Sequence, residues 1–253
     1  MFFHPLTEED SCVIIWKETM QHAGSGVLFS FTAEIRRNIW IRNEDIIMIK
    51  LERTSVMNME NAFRGMRNPM NSWGKSDSTV DEAGNFVIGE ADMKLATTLI
   101  HSGSDDRKFM RQIFVSVDIT APLYWWKEYD TYKVATVANS TSTMHKIHAK
   151  PFCREDFSCE RMTPAVLACL DQVIAVLEER RQVFVETKDR AAWDDMIQLL
   201  PTSFNQMRTC TLNYETLINI YYARRNHKLP EWHVLCHWIE ELPYAGELIC
   251  SLK

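Results

Sequence analysis

The residues of this chain whose types could do chemistry crowd between Gln112 and His145. The run Tyr124-Trp125-Trp126-Lys127-Glu128-Tyr129-Asp130-Thr131-Tyr132-Lys133 mixes aromatic rings with both signs of charge. It is followed by Val134-Ala135-Thr136-Val137-Ala138-Asn139-Ser140-Thr141-Ser142-Thr143, where hydroxyls and an amide recur with little bulk. Hydroxyl and amide groups can serve a ligand's carbonyls and phosphates, and small side chains let backbone come close. A helix burying Trp125, Trp126 and Tyr129 in the core is the plainer reading of the first run, and it is compatible with a ligand site beside it.

Other motifs are weaker. His233 and His237 share a helical face at a spacing that can ligate metal, but a metalloprotease needs Glu straight after the first histidine and Val234 stands there. Packing or solvent contact is the better account of both, and His145 and His148 are as unspecific. There is no Gly-rich phosphate loop, no G-x-S-x-G elbow and no Ser/His/Asp set. No metal site and no enzyme nucleophile is expected.

The elements that must position these residues follow from periodicity. Ile113, Val115, Val117 and Ile119 alternate with Phe114, Ser116 and Asp118, the period of a strand. Pro122 can open a helix from Leu123 to Asp130, since a first-turn residue needs no N–H. Upstream, Val27 to Ile35 alternates partly like a strand, and Ile46 to Leu51 is a short apolar run suited to a buried one. Met59 to Arg67 reads as a helix closed by Pro69, Asn71 to Asn85 as a surface loop, and Glu90 to His101 as a helix ended by Gly103. Downstream, Thr163-Pro164 starts a long helix with Val166, Leu167, Leu170, Val173, Ile174 and Leu177 on one face. Ala191 to Leu200 is a shorter helix, Asn213 caps another through Tyr221, and Pro230 opens the last. Strands early and helices late define α+β: a mixed or antiparallel sheet with flanking helices and a mostly helical C-terminal half.

Bulk composition narrows the function. A chain of 253 residues with 46% hydrophobic and 25% charged residues can bury one substantial core. A net charge of −6 argues against general nucleic-acid binding, which needs a basic face, but leaves room for a local basic pocket. No run reaches the about 20 apolar residues of a membrane span, and Met1 to Asp10 lacks the pattern of a signal peptide. The seven cysteines are scattered without a C-x-x-C pair, which fits reduced thiols. The expected location is the cytoplasm.

With these residues in view, the sequence resembles the flavin-dependent thymidylate synthases (ThyX). That family's signature is a strand, a Pro-led helix with an Arg-Gln pair, then Arg-His-Arg-x-x-Ser, then Asn-Glu-x-Ser-x-Arg. The matching run here is Phe114 to Pro122, Lys127-Glu128, Thr131-Tyr132-Lys133-Val134-Ala135-Thr136, and Ala138-Asn139-Ser140-Thr141-Ser142-Thr143. A later block, Leu200-Pro201 with Asn213, Asn219 and Arg224, has the family's spacing, and His227 and Glu231 fall near its His-Ala-Gln-x-Glu region. The stretch Leu95 to Phe114 fits in pattern, with Asp106, Lys108, Arg111 and Gln112 at polar positions. The resemblance spans about residues 44 to 245. It implies a ThyX-like domain over 44–253 with residues 1–43 as an N-terminal extension packed on it.

The resemblance further implies a homotetramer that binds FAD and a pyrimidine nucleotide such as dUMP, with methylene-tetrahydrofolate as one-carbon donor and NADPH as reductant of the flavin. Carried over by position, the cofactor-binding residues are Asn213, Asn219, Lys133, Thr131, Asn139 and His227. The substrate-binding residues are Arg224, Lys127, Glu128, Thr136, Thr141 and Thr143. Thr131 and Tyr132 stand for Arg and His, Lys133 for Arg, Asn139 for Glu, Thr143 for Arg, and Ile197 at a late Arg position. Each lost charge-assisted bond to phosphate costs about 1.5–3 kcal/mol. The alternative is therefore a catalytically inactive protein of the same fold, acting as a nucleotide-binding or assembly module.

Overall fold

The structure, a computed structural model, describes residues 49–252. The strand expected at Val27 to Ile35, the extension 1–43 and the Ile46 to Met48 part of the next run lie outside the described residues. A four-stranded sheet organises the rest, built from β1 (Lys50–Met57), β4 (Phe114–Pro122), β5 (Val137–Ser140) and β6 (Asn205–Asn213) in the order β1-β4-β6-β5. Every pairing is antiparallel. A small hairpin of β2 (Thr79–Val80) and β3 (Phe86–Val87) stands apart.

Alternation along β4 decides which face is covered. Val115, Val117, Ile119 and Ala121 are buried against the helices, whereas Ser116, Asp118 and Thr120 are half-exposed on the other face. Across the ladder, Ser116 pairs with Thr211 and Asp118 with Thr209, and both threonine hydroxyls bond those partners. This is the hydrophobic-in, polar-out pattern of an antiparallel sheet covered on one side. The covering helices are α1 (Met59–Met66), α2 (Glu90–Ser102), α3 (Leu123–Tyr129), α6 (Tyr214–Arg224), α7 (Pro230–Glu240) and α8 (Ala245–Leu248).

A second, smaller apolar cluster lies under α4 (Pro164–Thr187) and α5 (Arg190–Leu199), around Ile147, Phe152, Phe157, Leu170, Leu177 and Met196. Within it, Phe157 packs edge-on against Phe204, whose carbonyl accepts the Leu123 N–H at the start of α3. Arg161 reaches buried Glu231 at 2.6 Å, where the Tyr124 hydroxyl also donates.

The α+β class and most helix boundaries agree with the sequence reading: α1 stops before Pro69, Gly103 ends α2, Pro122 precedes α3, and Asn213 caps α6. The order of elements does not. β6, which pairs on both sides, lies in the C-terminal half among the helices, and β5 arises in the polar segment after α3. The Asn71 to Asn85 loop carries a 3-10 turn at Trp73–Lys75 and the strand β2. Thr163 precedes α4 without a side-chain cap bond, and Val166 lies exposed instead of on the packed face.

Candidate active-site cleft

A cleft of about 220 Å³ opens where the 3-10 turn Lys108–Gln112, the loop after α3 and the start of α6 meet. Arg111, Thr131, Tyr132, Lys133, Val134, Ala135, Asn213, Glu215, Thr216 and Asn219 line it. Local chemistry fixes these segments to one another. The Asn213 Oδ1 accepts the Thr216 N–H at 2.9 Å, which caps α6, while its Nδ2 donates to the Arg111 carbonyl at 3.1 Å and ties the turn to the helix. The Thr216 hydroxyl is 3.1 Å from both the Val134 carbonyl and Asn213 Oδ1, so its single proton serves one at a time. Ala135 holds φ 54° in the left-handed region, which turns the loop toward β5.

The cleft's charges are unequal. Glu215 already has its cation, because Arg107 Nε donates to it at 3.0 Å. Arg111 donates only to the Ser104 carbonyl, at 3.0 Å, and the Lys133 ammonium has no partner among the described residues. Among the described residues neither cation has a carboxylate partner, and both line a cleft at the N-terminus of α6, whose dipole adds positive potential. The arrangement suits an anionic group, with Tyr132 supplying an aromatic wall and Asn219, exposed, an amide.

Behind Tyr132 lies a second assembly. Arg224 Nε donates to the Tyr132 hydroxyl at 2.8 Å, and Arg224 Nη1 donates to Glu128 Oε2 at 2.8 Å. The guanidinium sits 4.5 Å over the Trp232 ring, a cation–π contact. Trp232 Nε1 donates to the same Glu128 oxygen at 2.9 Å, and His227 Nε2 lies 3.4 Å from it. Because the His227 Nδ1 accepts the Leu229 N–H, the neutral ring carries its proton on Nε2, directed at Glu128. Trp125 stacks on Tyr129 and packs tilted against Trp232, with ring centroids 5.1 Å and 4.7 Å apart.

Of the residues chosen from sequence, Thr131, Lys133, Asn213 and Asn219 meet in the cleft. Glu128, Arg224 and His227 meet in the assembly behind it. Lys127 is exposed on α3, and Asn139 is exposed on β5 opposite Thr209. Thr136 donates weakly to the Val134 carbonyl at 3.5 Å, Thr141 donates to the Met207 carbonyl at 3.2 Å, and Thr143 is half-exposed. None of these last five lines the cleft. Arg111, Tyr132, Glu215 and Thr216 line it and were not selected. The available signal for Arg111 was its place one turn before β4; for Glu215 and Thr216 it was their nearness to the cap Asn213. His233 bonds the His227 carbonyl and His237 lies by Glu240 and Glu241, so the two histidines serve separate contacts.

No protein-family model matches the chain, and no curated protein matches it in sequence. Solved structures do match in fold. Thymidylate synthase X from Helicobacter pylori, with FAD and dUMP, superposes with a TM-score of 0.59 at 16% identity, covering 77% of this chain and 94% of that one. A second complex of the flavin-dependent Helicobacter pylori enzyme with FAD and dUMP gives 0.60 at 16%, over 79% and 97%. A UMP/dUMP methylase, PolB from Streptomyces cacaoi, bound with 5-Br dUMP, gives 0.55 at 14%, over 81% and 95%. The chain therefore has a ThyX-like fold.

Proposed function

We propose that this protein is a flavin-dependent methylase acting on dUMP or a related pyrimidine nucleotide, with part of the flavin cofactor in the Arg111–Lys133 cleft. The observation that carries this reading is the pair of cations, without carboxylate partners among the described residues, that lines the cleft with Tyr132 and Asn219. It occurs on a fold whose solved relatives were crystallised with FAD and dUMP.

The residues present fit such a group in charge and partly in size. Arg111 and Lys133 would hold the pyrophosphate, with Asn219 and the second Nδ2 hydrogen of Asn213 as neutral donors. A volume of about 220 Å³ falls below the range of about 300–1,000 Å³ for complete small-molecule sites, so the remainder of the ligand would lie outside this cleft. When bound, reduced flavin supplies hydride, methylene-tetrahydrofolate the one-carbon unit and NADPH the electrons for the flavin. The protein's task is positioning and exclusion of water. The same reading takes residues 44–253 as the working unit of a cytoplasmic homotetramer, with 1–43 as an extension, and assigns Lys127, Thr136, Asn139, Thr141 and Thr143 to substrate and cofactor contacts at a subunit junction.

The first test is the absorption spectrum and thermal midpoint of the purified full chain with FAD and dUMP. A visible flavin band and a rise in midpoint with ligand are expected. A colourless protein that neither ligand stabilises sinks the reading. A second reading, a nucleotide-binding module without catalysis, is favoured by one observation: Glu128 and Tyr132 already engage Arg224. Methylated nucleotide formed from methylene-tetrahydrofolate and NADPH, and lost on Arg111→Ala with Lys133→Ala, excludes it.

A further inference from the structure

We propose that the groove between α4 and α5 is a docking site for residues 34–42 of the same chain, which lie outside the described residues. The proposal is independent of the flavin reading.

The helix α4 is apolar on two faces. Leu170 and Leu177 are buried in the smaller cluster, whereas Val166, Cys169 and Val176, at i, i+3 and i+10 along one stripe, lie exposed. Apolar residues beyond the packed face of a helix call for a second cover. Beside Val176 the two helices leave a groove of about 550 Å³, lined by Val176, Glu179 and Arg180 of α4 and by Asp195, Gln198 and Leu199 of α5. Its apolar members, Val176 and Leu199, are 44% and 39% exposed. Arg180 is spent on its neighbour Glu179, and Asp195 has no partner among the described residues, so the rim is acidic in net. Such a groove takes a segment that sets large apolar side chains among cations. Residues 34–42 supply Ile35, Ile39, Trp40 and Ile41 beside Arg36, Arg37 and Arg42, with Glu34 as their only acid. Residues 1–33 do not, because Lys17 is outnumbered there by Glu8, Glu9, Asp10 and Glu18.

Position agrees with charge. Lys50 at the start of β1 pairs with Thr120, and Pro122 at the end of β4 pairs with Asn205. The chain therefore enters β1 at the end of the sheet where α5 hands over to β6. The link from Leu199 to Asn205 turns back on itself, with the Phe204 N–H donating to the Pro201 carbonyl at 3.0 Å. That short link and the strand spacing put Leu199 within about 30 Å of Ile49, and the chain from Ile39 to Ile49 reaches about 33 Å when extended. A tether of this length presents the segment at about millimolar effective concentration, enough for a weak contact. A second copy lacks that advantage and would set one acidic rim against another.

The experiment is limited trypsin digestion of the full chain, with cut sites read by mass spectrometry, alongside sedimentation velocity. Val176→Asp puts a charge into the groove at an exposed position. Cleavage after Arg36, Arg37 and Arg42 is expected to be at least about tenfold faster in Val176→Asp than in the parent, because the protease samples the undocked population. Cleavage elsewhere and the sedimentation coefficient should not change. A parent cut after these arginines as fast as Val176→Asp overturns the proposal. So does protection that fades on dilution together with an assembled species, since the cover is then a second copy. The groove's side of the contact is read by hydrogen exchange: Arg36→Glu with Arg37→Glu is expected to speed amide exchange around Val176 and Leu199. Exchange that matches the parent overturns the proposal, and this comparison decides alone should Val176→Asp fail to fold.

Discussion

Arg67 and Asp92 are each nearly sealed from water, at 5% and 1% side-chain exposure, and they answer one another through Arg67 Nε. Burial alone would raise the Asp92 pKa, but donation by Ser76, Ser78 and Arg67 outweighs it and holds the carboxyl below its usual range. The group pins the segment before α2, which Asp77 also caps through the Ala91 and Asp92 N–H groups. Asp92→Ala leaves a buried guanidinium without a counter-charge and is expected to cost about 3–5 kcal/mol in urea unfolding. Asn213 permits a finer dissection. Asn213→Ala removes the α6 cap and should cost about 1 kcal/mol, whereas Asn213→Ser keeps a capping oxygen for the Thr216 N–H and loses the bond to the Arg111 carbonyl. If the cleft depends on that tie, Asn213→Ser weakens FAD binding while costing less stability than Asn213→Ala in urea unfolding. At this scale the sequence disclosed residues by type but not their partners. Lys133 and Asn219 could be picked out, yet that Arg224 is consumed by Glu128 depends on Trp232 and His227, about a hundred residues from Glu128, converging on one oxygen.

Elements with a clean period were legible, and those whose inward positions carry polar side chains were not. β4 presents Val115, Val117, Ile119 and Ala121 inward and declares itself. β6 has the same alternation but places Gln206 and Arg208 among its inward residues, each with a specific task. Gln206 donates to the Thr141 carbonyl at 2.7 Å, and Arg208 lies 4.2 Å over the Trp126 ring and pairs with Asp130 at 2.7 Å. These contacts satisfy the polar groups in place, and they erase the hydrophobic pattern from which a strand is read. In α4, Glu178 takes both Arg181 nitrogens at 2.7 Å and the Phe152 N–H at 3.0 Å. The Arg181 bonds, helped by the Phe152 and Gln182 donors, outweigh the burial penalty and depress its pKa from the ordinary 4.5 to about 2. A carboxylate whose pKa is lowered by folding contributes stability above its unfolded value and loses it as pH falls through the folded one. The helical hairpin should therefore loosen as pH drops from about 4.5 toward 2. Glu178→Gln should lack that component, with circular dichroism showing a shallower acid dependence and lower stability at neutral pH.

The molecule as a whole rests on two apolar clusters that share few side chains. The cleft belongs to the larger one, since each of its lining residues lies on the 3-10 turn before β4, the loop after α3, or the end of β6 and start of α6. The smaller cluster depends on α4, α5 and the loop around Phe152 and Phe157. It meets the rest through the Leu123 N–H to the Phe204 carbonyl at 3.0 Å, the Ser158 N–H to the Ser203 carbonyl at 2.8 Å, and Arg161 on Glu231. The long helix α4 leaves Val166, Val176 and Val185 exposed and buries only Leu170 and Leu177 fully, so its stability in this chain hangs on few contacts. Segments with few buried contacts open first in sub-global unfolding. Leu177→Ala, which empties a fully buried site, is expected to cost about 2–5 kcal/mol locally. Native-state hydrogen exchange should then speed in α4 and α5 while β4 and β6 amides keep their protection, and FAD binding should match the parent. Equal loss of protection across the sheet would instead mean that the bridges at Phe204 and Arg161 couple both clusters into one cooperative unit, and cleft affinity would then fall together with stability.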